Sequence, residues 1–120
     1  MKILLQPEGS SLCGQACVAM LAGITLEESI KVFGSRAGTS TKQVVEALRS
    51  LGVKCADGLT RITKSRGKSE ACMVVQHFDG AKHTHWVVYL NGLYYDPSIG
   101  IIFPGYPDFV RETSFLEIKP

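Results

Sequence analysis

The chain has 120 residues, a net charge of +2 and a hydrophobic share of 45%. This length suits one domain with its own core, and so small a charge does not favour a nucleic-acid or membrane surface as partner. No run of about 18 apolar residues is present, so no transmembrane helix is expected. The apolar part of the opening "MKILLQPEG" is too short for a signal peptide. We therefore expect a cytoplasmic protein with a single domain over residues 1–120.

The first half of the chain predicts three helices. The first helix begins near Cys13, with Ser10 or Ser11 as its cap, and Gly23 follows its end. Its sequence is apolar on nearly every side, so we expect it to be buried. Two capping boxes predict where the other helices begin: Thr25-x-x-Glu28 and Ser40-x-x-Gln43.

The second half of the chain predicts strands, because β-branched and aromatic residues become frequent there. The predicted strands cover residues 71–78, 85–90, 93–96 and 115–118. Asn91-Gly92 is a strong signal for a two-residue hairpin turn between the second and third of them. Helices followed by antiparallel strands indicate an α+β fold, with the helix that carries Cys13 packed on the sheet.

Two of the four cysteines, Cys13 and Cys17, lie in the first helix. In a reducing compartment we expect them to be buried, metal-bound or catalytic thiols rather than disulfides. Cys13 lies at the helix N-terminus, where free N–H groups and the helix dipole favour a thiolate. Gly14 is expected to leave room for a substrate backbone. Cys17 lies one turn further, among apolar residues, and is predicted to belong to the core.

A catalytic thiol needs an imidazole base, and that imidazole needs an orienting group. If Asn91-Gly92 is the turn, Val87 faces Asp96 and His85 faces Ser98 across the hairpin. Alternation of side chains then places His85 and Asp96 on one face as diagonal neighbours, within side-chain reach. The register therefore selects His85 and Asp96, whereas His83 lies one pair further along and His77 belongs to another segment.

An oxyanion formed during attack on a carbonyl group needs hydrogen-bond donors. Gln6 lies seven residues before Cys13, and its side-chain amide is a candidate donor beside the Cys13 backbone N–H. A glutamine near the start of a chain carries little information alone. It gains meaning from its order with the cysteine, the histidine and the aspartate.

These residues resemble a known pattern. Gln6, "CGQACVAML" (13–21), "HWVVY" (85–89) and "YDP" (95–97) resemble the papain-like cysteine peptidases. The similarity is greatest to the bacteriocin-processing branch, which cleaves after double-glycine leaders, and to its free-standing relatives. The resemblance implies a papain-like fold without a cofactor and a peptide or protein substrate.

The resemblance also implies a role for each residue. Gln6 would be the oxyanion donor, Cys13 the nucleophile, His85 the general base and acid, and Asp96 the orienting group. The products remain open, because related folds carry out transglutaminase, deamidase and acyltransferase chemistry with the same triad. A chain of this length has little room for specificity loops, so a protein partner that completes the cleft is a further expectation.

Two other functions compete with catalysis. Cys13, Cys17, His83 and His85 supply the donor types of a tetrahedral zinc site, and a papain-like fold can also serve as an inactive binding module. The segment 61–69, "RITKSRGKS", is basic. We expect it to be solvated, and the absence of interleaved aromatic residues argues against stacking on nucleic-acid bases.

Overall fold

Three helices precede six strands in the computed structural model, which describes all 120 residues. The helices are α1 (Cys13–Ala22), α2 (Leu26–Phe33) and α3 (Thr41–Ser50). The strands are β1 (Thr60–Arg61), β2 (Ala71–Phe78), β3 (Thr84–Leu90), β4 (Leu93–Asp96), β5 (Gly100–Ile102) and β6 (Val110–Glu117). None of the three helices has both the length and the apolar character required to cross a bilayer.

All six strands form one antiparallel sheet in the order β1-β6-β2-β3-β4-β5. The β3–β4 hairpin turns at Asn91-Gly92, where both residues have positive φ (49° and 88°). Its register pairs Leu90 with Leu93 and Val88 with Tyr95. The predicted hairpin and the α+β class are therefore confirmed.

The core lies on both faces of the sheet. One face packs against the helices, and its buried cluster includes Cys17, Leu48, Met73 and Trp86. The opposite face carries no helix. It holds a smaller cluster that Ile62, Tyr89, Ile102 and Tyr106 partly cover.

Some predicted boundaries were wrong. Helix α1 begins at Cys13 as predicted, but its N-cap is Leu12, and neither Ser10 nor Ser11 caps it. The reason is local, since the Ser10 hydroxyl instead accepts a hydrogen bond from the side chain of Gln6. The two predicted capping boxes are both present. The last strand covers Val110–Glu117 rather than 115–118, and β1 and β5 were not predicted.

Candidate active site

Cys13 is the first residue of α1, and the start of this helix has no side-chain cap. The helices α2 and α3 satisfy their first N–H groups with capping boxes, whereas Leu12 offers α1 no polar side chain. No acidic residue lies in its first turn either. The positive end of the helix dipole therefore faces the half-buried Cys13 thiol without a competing anion.

His85 and Asp96 form a hydrogen-bonded pair across the β3–β4 hairpin. The distance from His85 Nε2 to Asp96 Oδ1 is 2.8 Å, and the two side chains are 17% and 2% exposed. The hairpin register explains the contact, because one step beyond the Val88–Tyr95 pair places Asp96 opposite Val87, on the same face as His85. The prediction that this pair would meet is confirmed.

Cys13 and His85 line the same cavity and shift each other's pKa. Burial raises the pKa of the Cys13 thiol, but hydrogen bonds from His85 and the Trp86 backbone N–H, with the charge of His85, bring it below its usual value. Burial lowers the pKa of His85, but Asp96 and Cys13 outweigh this effect and raise it to about 9. Both shifts favour a thiolate–imidazolium pair at neutral pH.

The two ring nitrogens of His85 have different partners. Since Nε2 bonds Asp96, Nδ1 is the nitrogen left for the Cys13 thiol. A histidine held in this way has one nitrogen for orientation and the other for proton transfer. The three side chains therefore have the connectivity of a thiol–imidazole–carboxylate triad.

Asp96 is held by two further donors. The backbone N–H of Ser98 donates to Oδ1 and the hydroxyl of Tyr106 donates to Oδ2, each at 2.8 Å. Burial raises the pKa of Asp96, but the hydrogen bonds from His85, Ser98 and Tyr106 and the charge of His85 lower it overall. The carboxylate is therefore charged at neutral pH and fixed in orientation.

Tyr106 was not assigned a role by the sequence, where "GYPDF" (105–109) has no periodicity to interpret. Burial and the Asp96 charge both raise the pKa of Tyr106, so its hydroxyl remains a donor. Gln76 was also missed. It pairs with His85 across β2 and β3 and is fully buried, although neither atom of its amide group makes a hydrogen bond.

Cys17 is a core residue, as predicted. It is 0% exposed, and its thiol donates to the carbonyl oxygen of Trp86 at 3.4 Å. Burial raises its pKa well above the usual value, and the charges of Cys13 and Asp96 add to this effect. Cys17 is therefore a buried, protonated thiol one turn away from Cys13.

Gln6 reaches the site but is engaged elsewhere. Its backbone N–H donates to the Pro97 carbonyl at 2.7 Å, which ties it to the loop after Asp96. Its Nε2 donates to the carbonyl and hydroxyl oxygens of Ser10, at 3.0 and 3.1 Å. An oxyanion role requires one of these bonds to be exchanged, so that role stays a prediction.

Cys13 and His85 open into a cavity of about 420 Å³. Gln6, Ser98 and His83 also line it, and residues 38–39 form the wall on the helix side. That wall is anchored by Gln15, whose Nε2 donates to the carbonyls of Ser35 and Ala37 at 3.1 and 2.8 Å. The role of Gln15 was missed, since a buried glutamine on a helix has no signature in sequence.

Gly14 was predicted to leave room for a substrate backbone, but the space beside it is filled by Thr39. A Cβ atom at this position would collide with the Thr39 hydroxyl. The glycine is therefore needed for close packing of α1 against the loop that forms the cleft wall. It does not serve as open space for a substrate.

A larger groove, of about 720 Å³, lies between residues 1–4 and the helices α1 and α2. It is mostly apolar, and none of the residues that line it is a cysteine, a histidine or an aspartate. Size alone therefore does not identify the reactive site of this molecule.

The zinc hypothesis lacks the geometry it requires. No three histidine, cysteine, aspartate or glutamate side chains lie close enough together to hold a metal ion. The Cys17 thiol is directed to the Trp86 carbonyl instead. The four residues proposed as ligands therefore do not converge.

The basic segment 61–69 is exposed at Arg61, Lys64 and Arg66, as expected, and Lys68 is the exception. Lys68 Nζ lies 2.9 Å from Glu112 Oε1, and the side chains are 19% and 21% exposed. The same ammonium group lies 4.5 Å from the centroid of the Tyr89 ring. Lys68 is therefore part of the cover over the helix-free face of the sheet and is not available to an acidic partner.

Neither a scan against known protein families nor a search of curated proteins finds a match for this chain. The geometry of the site is therefore the main basis for proposing what this protein does. The grouping of Cys13, His85 and Asp96 is the most specific feature of that geometry.

Proposed function

We propose that the protein is a papain-like cysteine peptidase that cleaves an amide bond through an acyl-enzyme on Cys13. The observation that carries the proposal is the grouping of Cys13, His85 and Asp96: the thiol lies at an uncapped helix start, it lines one cavity with His85, and His85 is hydrogen-bonded to Asp96. A helix with the nucleophile, packed on an antiparallel sheet with the base, is also the arrangement that the papain-like resemblance implies.

The first half of the reaction uses the ion pair. The Cys13 thiolate attacks the carbonyl carbon, a C–S bond forms, and the oxygen becomes an oxyanion. The Cys13 backbone N–H is the first of α1 and needs no partner within the helix, so it is placed to donate to that oxyanion. The imidazolium of His85 then gives its proton to the departing nitrogen as the C–N bond breaks.

The second half resolves the thioester. Neutral His85 takes a proton from water, the resulting hydroxide attacks the thioester carbonyl, and the C–S bond breaks. Cys13 returns to the thiolate and His85 to the imidazolium. Asp96 keeps the ring oriented and stabilises its positive charge through both halves.

The test is a search for cleaved bonds in a complex peptide mixture. We would incubate the full chain with peptides from a digested proteome in 50% H₂¹⁸O and identify new termini by mass spectrometry. Hydrolysis places ¹⁸O in new carboxyl termini, deamidation places it in glutamate or aspartate side chains, and transamidation places it in neither. Products that are equally abundant with Cys13→Ala, or no products at all, would contradict the proposal.

Asp96→Asn is expected to reduce kcat/KM by about 10- to 100-fold, and His85→Ala by about 1,000-fold or more. A thiolate–imidazolium pair retains the attraction of its charges and the helix field, so it depends on its third member less than a serine triad does. The measurement is kcat/KM on a substrate from the peptide screen. His77→Ala serves as the matched histidine control, because His77 lies on β2 outside the cavity. An inactive His83→Ala beside a fully active Asp96→Asn would show that His85 is not the base.

Tyr106→Phe is expected to lower kcat/KM by about tenfold or less and to raise the pKa of His85. Without the Tyr106 hydroxyl the Asp96 carboxylate has one donor fewer, so its charge is shared less and acts more strongly on the imidazole. The pKa is read from the His85 ring signals in an NMR titration. Tyr89→Phe is the control, because Tyr89 makes no hydrogen bond to Asp96. An unchanged His85 pKa in Tyr106→Phe would show that Tyr106 only fills space.

A further inference from the structure

A second and more apolar cavity adjoins the catalytic pair on the side of His85 that Cys13 does not line. Its volume is about 260 Å³, and its polar walls are His83, His85, Asp96 and Ser98. Phe78 and Ile99 form its apolar walls. It shares His83, His85 and Ser98 with the cavity that contains Cys13, so these three residues border both spaces.

Phe78 and Ile99, the apolar walls of this cavity, are exposed to solvent although large apolar side chains are more often buried. Phe78 is 37% exposed and Ile99 is 63% exposed. The ring of Phe78 meets the imidazole of His85 edge-on, with centroids 6.1 Å apart. Because Phe78 and Ile99 line one cavity, their exposed surface is grouped rather than scattered singly, and grouped apolar surface is typical of a binding site.

The chemistry of the proposed reaction decides which part of a substrate enters this cavity. The acyl part stays bonded to Cys13 and so remains in the cavity that Cys13 lines. The departing nitrogen must lie within hydrogen-bond distance of His85, because His85 protonates it. The chain that follows this nitrogen therefore lies beside the imidazole, where Ser98 and Ile99 line the adjoining cavity.

We propose that Phe78 and Ile99 form a subsite for an apolar side chain on the amine side of the scissile bond. The inference rests on the proposed function and adds a substrate class, peptides with a large apolar residue directly after the cleaved bond. A volume of about 260 Å³ suits one such side chain, because pockets for drug-sized ligands begin at about 300 Å³.

The reverse of the acylation step gives a direct test, because an amine that attacks the acyl-enzyme must occupy the place of the leaving group. In that step the amine nitrogen forms a C–N bond, the C–S bond breaks, and a proton passes from the nitrogen to His85. The full chain would be acylated with the p-nitrophenyl ester of N-acetylglycine, with release of p-nitrophenol as the signal. Phenylalaninamide, leucinamide, glycinamide or aspartamide would then compete with water.

The readout is the ratio of amide products within one enzyme sample. We expect phenylalaninamide and leucinamide to give about tenfold more product than glycinamide, at the low end of the discrimination that apolar pockets provide. The amines have α-amino pKa values in a narrow range, so reactivity alone does not produce this difference. In Ile99→Ser and Phe78→Ala the ratio should fall toward one.

Phe103→Ser is the matched control, because Phe103 is 72% exposed and lies outside the cavity. It should keep the wild-type ratio. Ile99 is exposed enough that Ile99→Ser should fold even if Phe78→Ala does not. An acyl-enzyme that forms but reacts equally with all four amines would overturn the subsite alone, as would an unchanged ratio in Ile99→Ser. Absence of a Cys13-dependent acyl-enzyme would overturn the proposed function and the subsite with it.

Discussion

Cys13→Ala is expected to abolish turnover while leaving the fold intact. Cys13 is half-buried at the edge of the main core cluster, so loss of its sulfur removes little packing. The reaction, in contrast, has no other nucleophile, because Cys17, Cys55 and Cys72 are buried and burial raises the pKa of each. The measurement is kcat/KM beside thermal unfolding, and we expect a loss of at least about 1,000-fold with a melting temperature near that of the wild type.

Cys17→Ala is the matched control on the same helix. Cys17 is fully buried, and its thiol donates to the Trp86 carbonyl. Its replacement should reduce the free energy of unfolding by about 1 kcal/mol, as small truncations in a core do, and leave most of the activity. Full activity in folded Cys13→Ala would contradict the peptidase proposal. Loss of activity in a stable Cys17→Ala would show that Cys17, and not Cys13, is the reactive thiol.

The contact between His85 and Asp96 could be predicted from sequence because it depends on local rules. A two-residue Asn91-Gly92 turn sets the register of β3 and β4, and alternation then decides which side chains share a face. His85 and Asp96 are therefore brought together by a hairpin of a dozen residues. The buried position of Cys17 followed in the same way from the apolar character of α1 on every side.

The supports of the site could not be predicted, because they come from segments without a regular period. Tyr106 reaches Asp96 from an irregular loop, and Gln15 holds a loop twenty residues away in sequence. The partly buried position of Lys68, in the loop before β2, depends on Glu112, a partner 44 residues distant on β6. Such contacts depend on how distant segments pack, which no local pattern in the sequence specifies.

Of the three helices, only α1, which carries Cys13, has no side-chain cap at its start. Thr25 and Ser40 satisfy the first N–H groups of α2 and α3 with their own side chains. At α1 the apolar Leu12 is 3% exposed and faces the core, so the first N–H groups of the helix have no side-chain acceptor. The stability that a cap would add, about 1 kcal/mol, is therefore absent at the helix start that carries the proposed thiolate.

Iodoacetamide at pH 6 is expected to modify Cys13 far faster than the other three cysteines. A thiol with the ordinary pKa of about 8.5 is roughly 0.3% thiolate at that pH. The pKa of Cys13 is lower, because hydrogen bonds and charge from His85 outweigh the effect of burial. Site-resolved rates come from mass spectrometry of peptides after timed exposure, and a chelator should leave them unchanged.

His85→Ala tests the cause of that reactivity. Without the imidazole, burial remains as an influence that raises the pKa of Cys13, so alkylation at pH 6 should slow by about tenfold or more. His77→Ala should leave the rate unchanged. In the intact protein, peptidase activity should fall below the pKa of Cys13, where the thiolate takes up a proton, and again above about pH 9, where His85 loses the proton it gives to the leaving nitrogen. An alkylation rate that His85→Ala leaves unchanged would show that the two side chains do not form the ion pair on which the mechanism depends.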